Sequence, residues 1–251
     1  MTSPAAHPLV LFLLLAAPFV GSFVATFAVR WPQGRPVVLA RSACPACAAP
    51  IRAFDLAPVF GWLLRRGRCR SCAAPIAALY PLSELAALGI ALWAVTAFDG
   101  VDLALVCVLG WALLALALVD LRTMLLPDIL TLTVLALGLL AAALDNRLPA
   151  ALLGAAVGFA AFSLVAFGYR RWRARDGLGF GDVKLLAAAG AWVGWAGLPG
   201  LVLLASIAAL AAALLLALRG RRDIGRAEIA FGPYLAAATW ITVLYGPLTL
   251  A

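Results

Sequence analysis

The chain has one histidine, His7, in 251 residues, and charged residues make up only 12% of it. A single histidine outside any serine or cysteine motif leaves no imidazole base for a Ser-His type of nucleophilic catalysis. The scarcity of charge, set against 66% hydrophobic residues, lies outside the range of soluble domains and marks an integral membrane protein. Five cysteines are too few for a small disulfide-stapled fold, and the recurring apolar runs exclude collagen-like and disordered classes. Residues 1–7 lack lysine and arginine, so the apolar run that follows has no basic n-region and reads as a retained first helix. Aromatic residues are not interleaved with the arginines in a stacking pattern, so the net charge of +8 calls for no nucleic-acid partner. A glycine-rich nucleotide turn and a clear repeat between the two halves, as many transporters show, are both missing.

What the sequence does have is a series of apolar stretches, at 8–29, 82–98, 103–119, 129–144, 148–169, 183–195, 201–218 and 229–248. They predict an all-α polytopic membrane protein with about eight transmembrane helices. The stretch at 183–195 is short for a ~30 Å hydrocarbon core and suggests tilt or a start inside the membrane. With the N-terminus outside, the loops on the cytoplasmic side hold every lysine and arginine except Arg147, while Asp99, Asp102 and Asp145 lie outside. That asymmetry sets the orientation by the positive-inside rule. The organisation expected is a first helix in 1–29, a small cytoplasmic domain in 30–79, and a membrane domain in 80–251. Gly154, Ala155 and Gly158 on one helix suit close packing, either within the chain or between copies.

The 30–79 segment has few large apolar residues and cannot bury a core sufficient to fold alone. It does contain Cys44-Pro-Ala-Cys47 and Cys69-Arg-Ser-Cys72, separated by 21 residues. Two such pairs supply four thiolates for tetrahedral zinc, which would hold a coreless segment together. Free thiols or disulfides are the plainer alternative, disfavoured by a cytoplasmic location. Cys107, inside an apolar run, reads as a small buried residue.

Carboxylates in or beside the apolar runs are costly and are functional candidates by default: Glu84, Asp120, Asp128 and Asp182. Asp120 ends an apolar run, where a negative charge meets an unfavourable helix dipole. Asp182 follows Gly179-Phe180-Gly181, whose glycines permit close backbone approach. Both fall on the same side of the membrane. Two carboxyls close together share one proton, so one acts as base on water while the other polarises a peptide carbonyl. The alternatives are that Asp182 is an N-cap, Asp120 an ion-pair partner of Arg122, and Asp128 after Pro127 a helix start.

In combination these residues resemble the bacterial type IV prepilin peptidases. The similar elements are Gly21-Ser22-Phe23, the paired cysteine motifs, Tyr80-Pro81-Leu82-Ser83-Glu84-Leu85, the stretch from Asp120-Leu121-Arg122 to Leu126-Pro127-Asp128, and Gly179-Phe180-Gly181-Asp182-Val183-Lys184-Leu185. The resemblance implies an intramembrane aspartyl endopeptidase at the cytoplasmic face of the bacterial inner membrane. It would remove, after a glycine, the basic leader of type IV prepilins or of competence or secretion-system pseudopilins. It implies Asp120 and Asp182 as the catalytic pair, with Asp128, Gly179, Gly181 and Lys184 supporting them, and zinc on Cys44, Cys47, Cys69 and Cys72. Members with the four-cysteine domain commonly also methylate the new N-terminus with S-adenosylmethionine. Here Gly21-Ser22-Phe23-Val24-Ala25 departs from the usual Gly-Ser-Phe-Leu-Asn, so a peptidase without methyltransferase activity is the main alternative. A membrane transporter or assembly scaffold is the alternative from another class.

Overall fold

The computed structural model describes residues 6–38, 41–173, 179–219 and 230–247, and among them there are eight α-helices and no strand. The helices are α1 (Ala6–Arg30), α2 (Phe60–Leu64), α3 (Leu79–Val95), α4 (Gly100–Thr123), α5 (Asp128–Leu144), α6 (Leu148–Arg173), α7 (Phe180–Leu218) and α8 (Gly232–Tyr245). Four of them give stretches long and apolar enough to cross a membrane: Pro8–Gln33, Gly100–Thr123, Leu148–Trp172 and Phe180–Leu218. Two more apolar helices, Leu79–Val95 and Asp128–Leu144, are shorter. Large apolar side chains such as Phe12, Leu164, Phe167 and Leu210 stand exposed along these helices, as they would against lipid.

The expected set of eight spans is therefore corrected to eight helices of a different kind. One of them, α2, is a single turn inside the 30–79 segment. The stretches expected as separate spans at 183–195 and 201–218 belong to one long helical element, α7, broken at Gly194. Gly194 has φ 70° and ψ 173°, a conformation closed to side-chain-bearing residues, and it ends the regular helix there. The helical arm from Phe180 to this break is about 21 Å long at 1.5 Å per residue, short of a full crossing. Arg175, Arg221, Arg222 and Arg226 of the expected positive loops lie outside the described residues.

The chain forms two compact units, Met1–Ala115 and Leu116–Ala251, and α4 begins in the first and ends in the second. In the first unit α1 packs on α3 at Gly21, where an added Cβ would lie 2.4 Å from the Ser83 carbonyl oxygen. Trp111 donates its indole N–H to the Ala87 carbonyl at 3.1 Å, tying the middle of α4 to α3.

In the second unit α7 is the central helix, with α5, α6 and α8 packed on it and Leu185, Leu186, Ala188, Leu201 and Leu235 buried. Gly154 of α6 and Gly190 of α7 meet backbone to backbone: a Cβ on Gly190 would sit 2.2 Å from the Gly154 carbonyl oxygen. The small residues of α6 are thus used for packing within the chain. Because the obstacle is backbone rather than a flexible side chain, Gly190→Val should cost about 1–3 kcal/mol or more by forcing α6 and α7 apart. A lowered thermal midpoint in detergent, measured by circular dichroism, checks this; an unchanged midpoint contradicts it.

Candidate functional site

Four elements of the second unit converge around Leu126. The chain leaves α4 through Met124, at φ 53°, whose amide donates to the Asp120 carbonyl at 2.8 Å. It then passes Leu126 and enters α5 from Pro127, the N-cap, whose backbone is extended at ψ 127°. A Cβ on Gly181 would lie 2.9 Å from Leu126 Cβ, and one on Gly232 would lie 3.1 Å from Leu126 Cδ2. The glycines thus allow the first turns of α7 and α8 to close on this leucine.

Asp120 is 4% exposed and Asp182 9% exposed. The Gly232 amide N–H at the start of α8 donates to Asp120 Oδ2 at 2.9 Å. A Cβ at Gly232 would stand 2.6 Å from that oxygen, so only glycine lets the backbone come so close. Asp182 lies in the first turn of α7, where a carboxylate is favoured by the helix dipole. Its amide donates to the Gly179 carbonyl at 3.0 Å, and its Oδ1 is buried without a hydrogen-bond partner among the described residues. Asp120 acts electrostatically on Asp182. The N-cap of α7 is Gly179, so Asp182 does not serve as that cap. Asp120 is turned to the Gly232 amide and buried, whereas Arg122 is exposed.

Asp128 opens α5, exposed, and pairs with Lys184 of α7, whose ammonium also lies 5.2 Å from the Phe180 ring centroid. The pair links the starts of α5 and α7, and neither member is buried. The sequence did not single out Gly232, although Gly232-Pro233 at the head of the last apolar run is a legible helix-start signal.

In the first unit the two cysteine pairs adopt matching turns. Cys44 N–H donates to the Ala49 carbonyl at 2.9 Å and Ala48 N–H to the Cys44 carbonyl at 2.9 Å; Cys69 to Ala74 at 2.8 Å and Ala73 to Cys69 at 3.0 Å repeat the pattern. Ala48 and Ala73 both take φ 57°, following the repeated Cys-x-x-Cys-Ala-Ala-Pro sequence. The four Sγ atoms lie within 4.8 Å of one another, Cys44 to Cys72 at 3.7 Å and Cys47 to Cys69 at 4.0 Å. A disulfide needs about 2.05 Å, and a tetrahedral ion with bonds of about 2.3 Å spaces its sulfurs by about 3.8 Å. The cluster therefore fits a metal ion, and all four thiols are free. The amide N–H groups of Cys47 and Ala46 hold the Cys44 thiol down at about 6. Cys72 is drawn down by the Ala74 amide but pushed up further, to about 12, by Cys47, by burial, and by Cys44 and Cys69. Four sulfurs this close cannot all carry charge without a cation between them.

An all-helical membrane protein with two buried carboxyls in one unit and a four-cysteine lobe in the other is the class these features define. Residues 15–98 match the Bacterial Peptidase A24 N-terminal domain, and residues 107–214 match the Type IV leader peptidase family. The chain is 42% identical over 214 residues to the prepilin leader peptidase/N-methyltransferase of Aeromonas salmonicida, covering 84% of this chain and 73% of that protein. It is 39% identical over 210 residues to the protein of that name from Dichelobacter nodosus, covering 82% and 71%. With the one from Pseudomonas aeruginosa it shares 36% over 217 residues, covering 84% and 73%. No solved structure matches the chain. The chain belongs to the type IV leader peptidase family, and it is a peptidase. The transporter or scaffold alternative is displaced by that membership.

Proposed function

We propose that the protein is an aspartyl endopeptidase of the bacterial inner membrane that removes the basic leader of type IV prepilins or pseudopilins, after glycine, at the cytoplasmic face. The observation that carries this reading is the burial of Asp120 and Asp182 around Leu126, with Asp182 Oδ1 unpartnered among the described residues. Two carboxyls brought close together hold one proton between them. The ionised one takes a proton from water as the oxygen bonds to the scissile carbonyl carbon, and the protonated one gives its proton to the carbonyl oxygen. As the C–N bond breaks, the aspartate that took the water proton gives it to the leaving amine, and a hydroxyl of the tetrahedral intermediate returns its proton to the other aspartate, restoring the singly protonated pair. Gly232 holds Asp120 by its amide, and Gly179 and Gly181 bring the head of α7 close. The Asp128–Lys184 pair supports the loop between α4 and α5. In this reading the shorter apolar helices α3 and α5 cross the membrane beside the four long ones, with 1–29 as the first helix, 30–79 as a cytoplasmic zinc-binding domain and 80–251 as the peptidase domain. A prepilin's apolar segment partitions into the bilayer while its basic leader stays in the cytoplasm, so the scissile bond lies at the interface.

The relatives' name adds N-methyltransferase, and the same activity here would draw its methyl group from S-adenosylmethionine. Ala25 in place of the family's asparagine favours testing a peptidase-only reading beside it. Mass spectrometry of a prepilin incubated with the reconstituted protein, with and without S-adenosylmethionine, tests both. Loss of the leader with a methyl mass only when the donor is present supports the bifunctional enzyme, and loss without methylation supports the peptidase alone. An uncleaved panel of leaders overturns the proposal.

The Gly232 contact makes a narrower prediction. Gly232→Ala places a methyl group against Asp120 Oδ2 and moves the carboxyl by a fraction of an ångström or more. Cleavage should slow by roughly 100-fold with little change in substrate KM, since misplacing a reacting group acts on the chemical step. Steady-state kinetics beside a melting curve separates this from unfolding.

A further inference from the structure

The short helix α2 presents its apolar side outward. Phe60, Leu63 and Leu64 occupy positions i, i+3 and i+4 of one face and are 69%, 55% and 82% exposed, and nearby Phe54 is 92% exposed. The opposite side is the packed one. Trp62 covers Gly67 and donates its indole N–H to the Ile76 carbonyl at 3.1 Å, and Gly61 sits against Asp55. Arg66 and Arg68 stand exposed directly after the apolar face, while Arg65 and Arg70 pair with Asp55.

The depth of this helix follows from one hydrogen bond. The Val59 amide, at the head of α2, donates to Glu84 Oε2 at 2.6 Å, and Glu84 is buried on α3 at its contact with α1. Glu84 lies five residues into α3, about 7.5 Å along its axis. Gly21, which meets Ser83 and Glu84, lies nine residues before the end of α1 at Arg30, about 13 Å. Allowing for the reach of the glutamate side chain, the segment does not stand off in water beyond the helix ends. Its head lies level with the first residues of α3 and short of the Arg30 end of α1, where headgroups meet acyl chains.

We infer that α2 is an interfacial membrane anchor: Phe60, Leu63 and Leu64 enter the acyl boundary of the leaflet at the Arg30 end of α1, and Arg66 and Arg68 contact anionic lipid phosphates there. The composition is that of a membrane-surface element, apolar on one face and basic at its edge. The occupant is lipid rather than substrate, because a basic leader is repelled by these arginines; a second copy would oppose the same charges on itself. This rests on the reading of α1 and α3 as membrane-spanning.

The test places the photoreactive amino acid p-benzoylphenylalanine at position 64, and in a second protein at position 12, where Phe12 is exposed on α1. Both are reconstituted in vesicles of phosphatidylethanolamine and phosphatidylglycerol, irradiated, and analysed by mass spectrometry. A phospholipid adduct at both positions is the expected result. An adduct at position 12 with none at 64, or a crosslink from 64 to protein, overturns the inference. No adduct at either position overturns the spanning reading and the anchor with it. Combining Arg66→Glu with Arg68→Glu should lower the yield at 64 several-fold in these vesicles, and an unchanged yield overturns the role of the arginines.

Discussion

Asp182→Asn and Asp120→Asn should each reduce leader cleavage by roughly 10²–10⁴-fold or more, the range that a positioned acid or base contributes. Asparagine keeps the size of aspartate and an oxygen that accepts the Gly232 amide, but it neither stores nor delivers the catalytic proton. Helical content and the melting midpoint should therefore stay close to those of the parent while turnover is lost. The contrast is Asp128→Asn. Its partner Lys184 and its own side chain are both solvent-accessible, and an exposed pair contributes only about 0–1 kcal/mol. Cleavage should then fall by less than about tenfold, in keeping with a supporting rather than a reacting group. Near-normal turnover in either of the first two variants removes that aspartate from the pair.

The second large effect concerns the metal. Among the described residues of 31–78 only Cys44, Gly61 and Gly67 are buried, so this lobe has no apolar interior to hold it. Structural zinc in comparable small sites contributes on the order of 10–16 kcal/mol, which makes metal binding and folding of the lobe one event. Chelation, or Cys72→Ser, should therefore open the lobe to trypsin at its many arginines, with cleavage faster by about 100-fold or more, while the helical signal of the membrane segments persists. Binding expels thiol protons, so retention of metal should weaken as pH falls. Elemental analysis of the purified protein should give one zinc per chain. A metal-free protein with a protease-resistant lobe contradicts the assignment.

The cysteine cluster was legible because its signal is local. Each Cys-x-x-Cys turn closes within a few residues, and two turns with a coreless segment around them leave few arrangements besides a shared ion. The aspartates were legible one at a time for the same reason, as charges whose desolvation needs a compensating use. Their gathering around Leu126 was not, because it depends on which helix faces meet. That is decided by close backbone approaches such as Gly154 on Gly190 and Gly232 on Asp120, and hydropathy is blind to them. The number of spans misled at α7, since a break at one glycine and two separate helices look alike in a run of apolar residues.

By itself the sequence determined the membrane-embedded helical class, the positive-inside asymmetry, the four cysteines placed to hold a metal and the short roster of costly carboxylates. These follow from side-chain chemistry and run length, which act over a few residues. Only the tertiary structure decided that Gly232 holds Asp120, that Asp182 keeps a buried oxygen unpartnered among the described residues, that Asp128 is tied to Lys184 at the surface, and that Glu84 holds the head of α2 to α3. Each of these joins residues distant in the chain. Such contacts come from the packing of whole helices, where steric fit between faces rather than composition selects the partner.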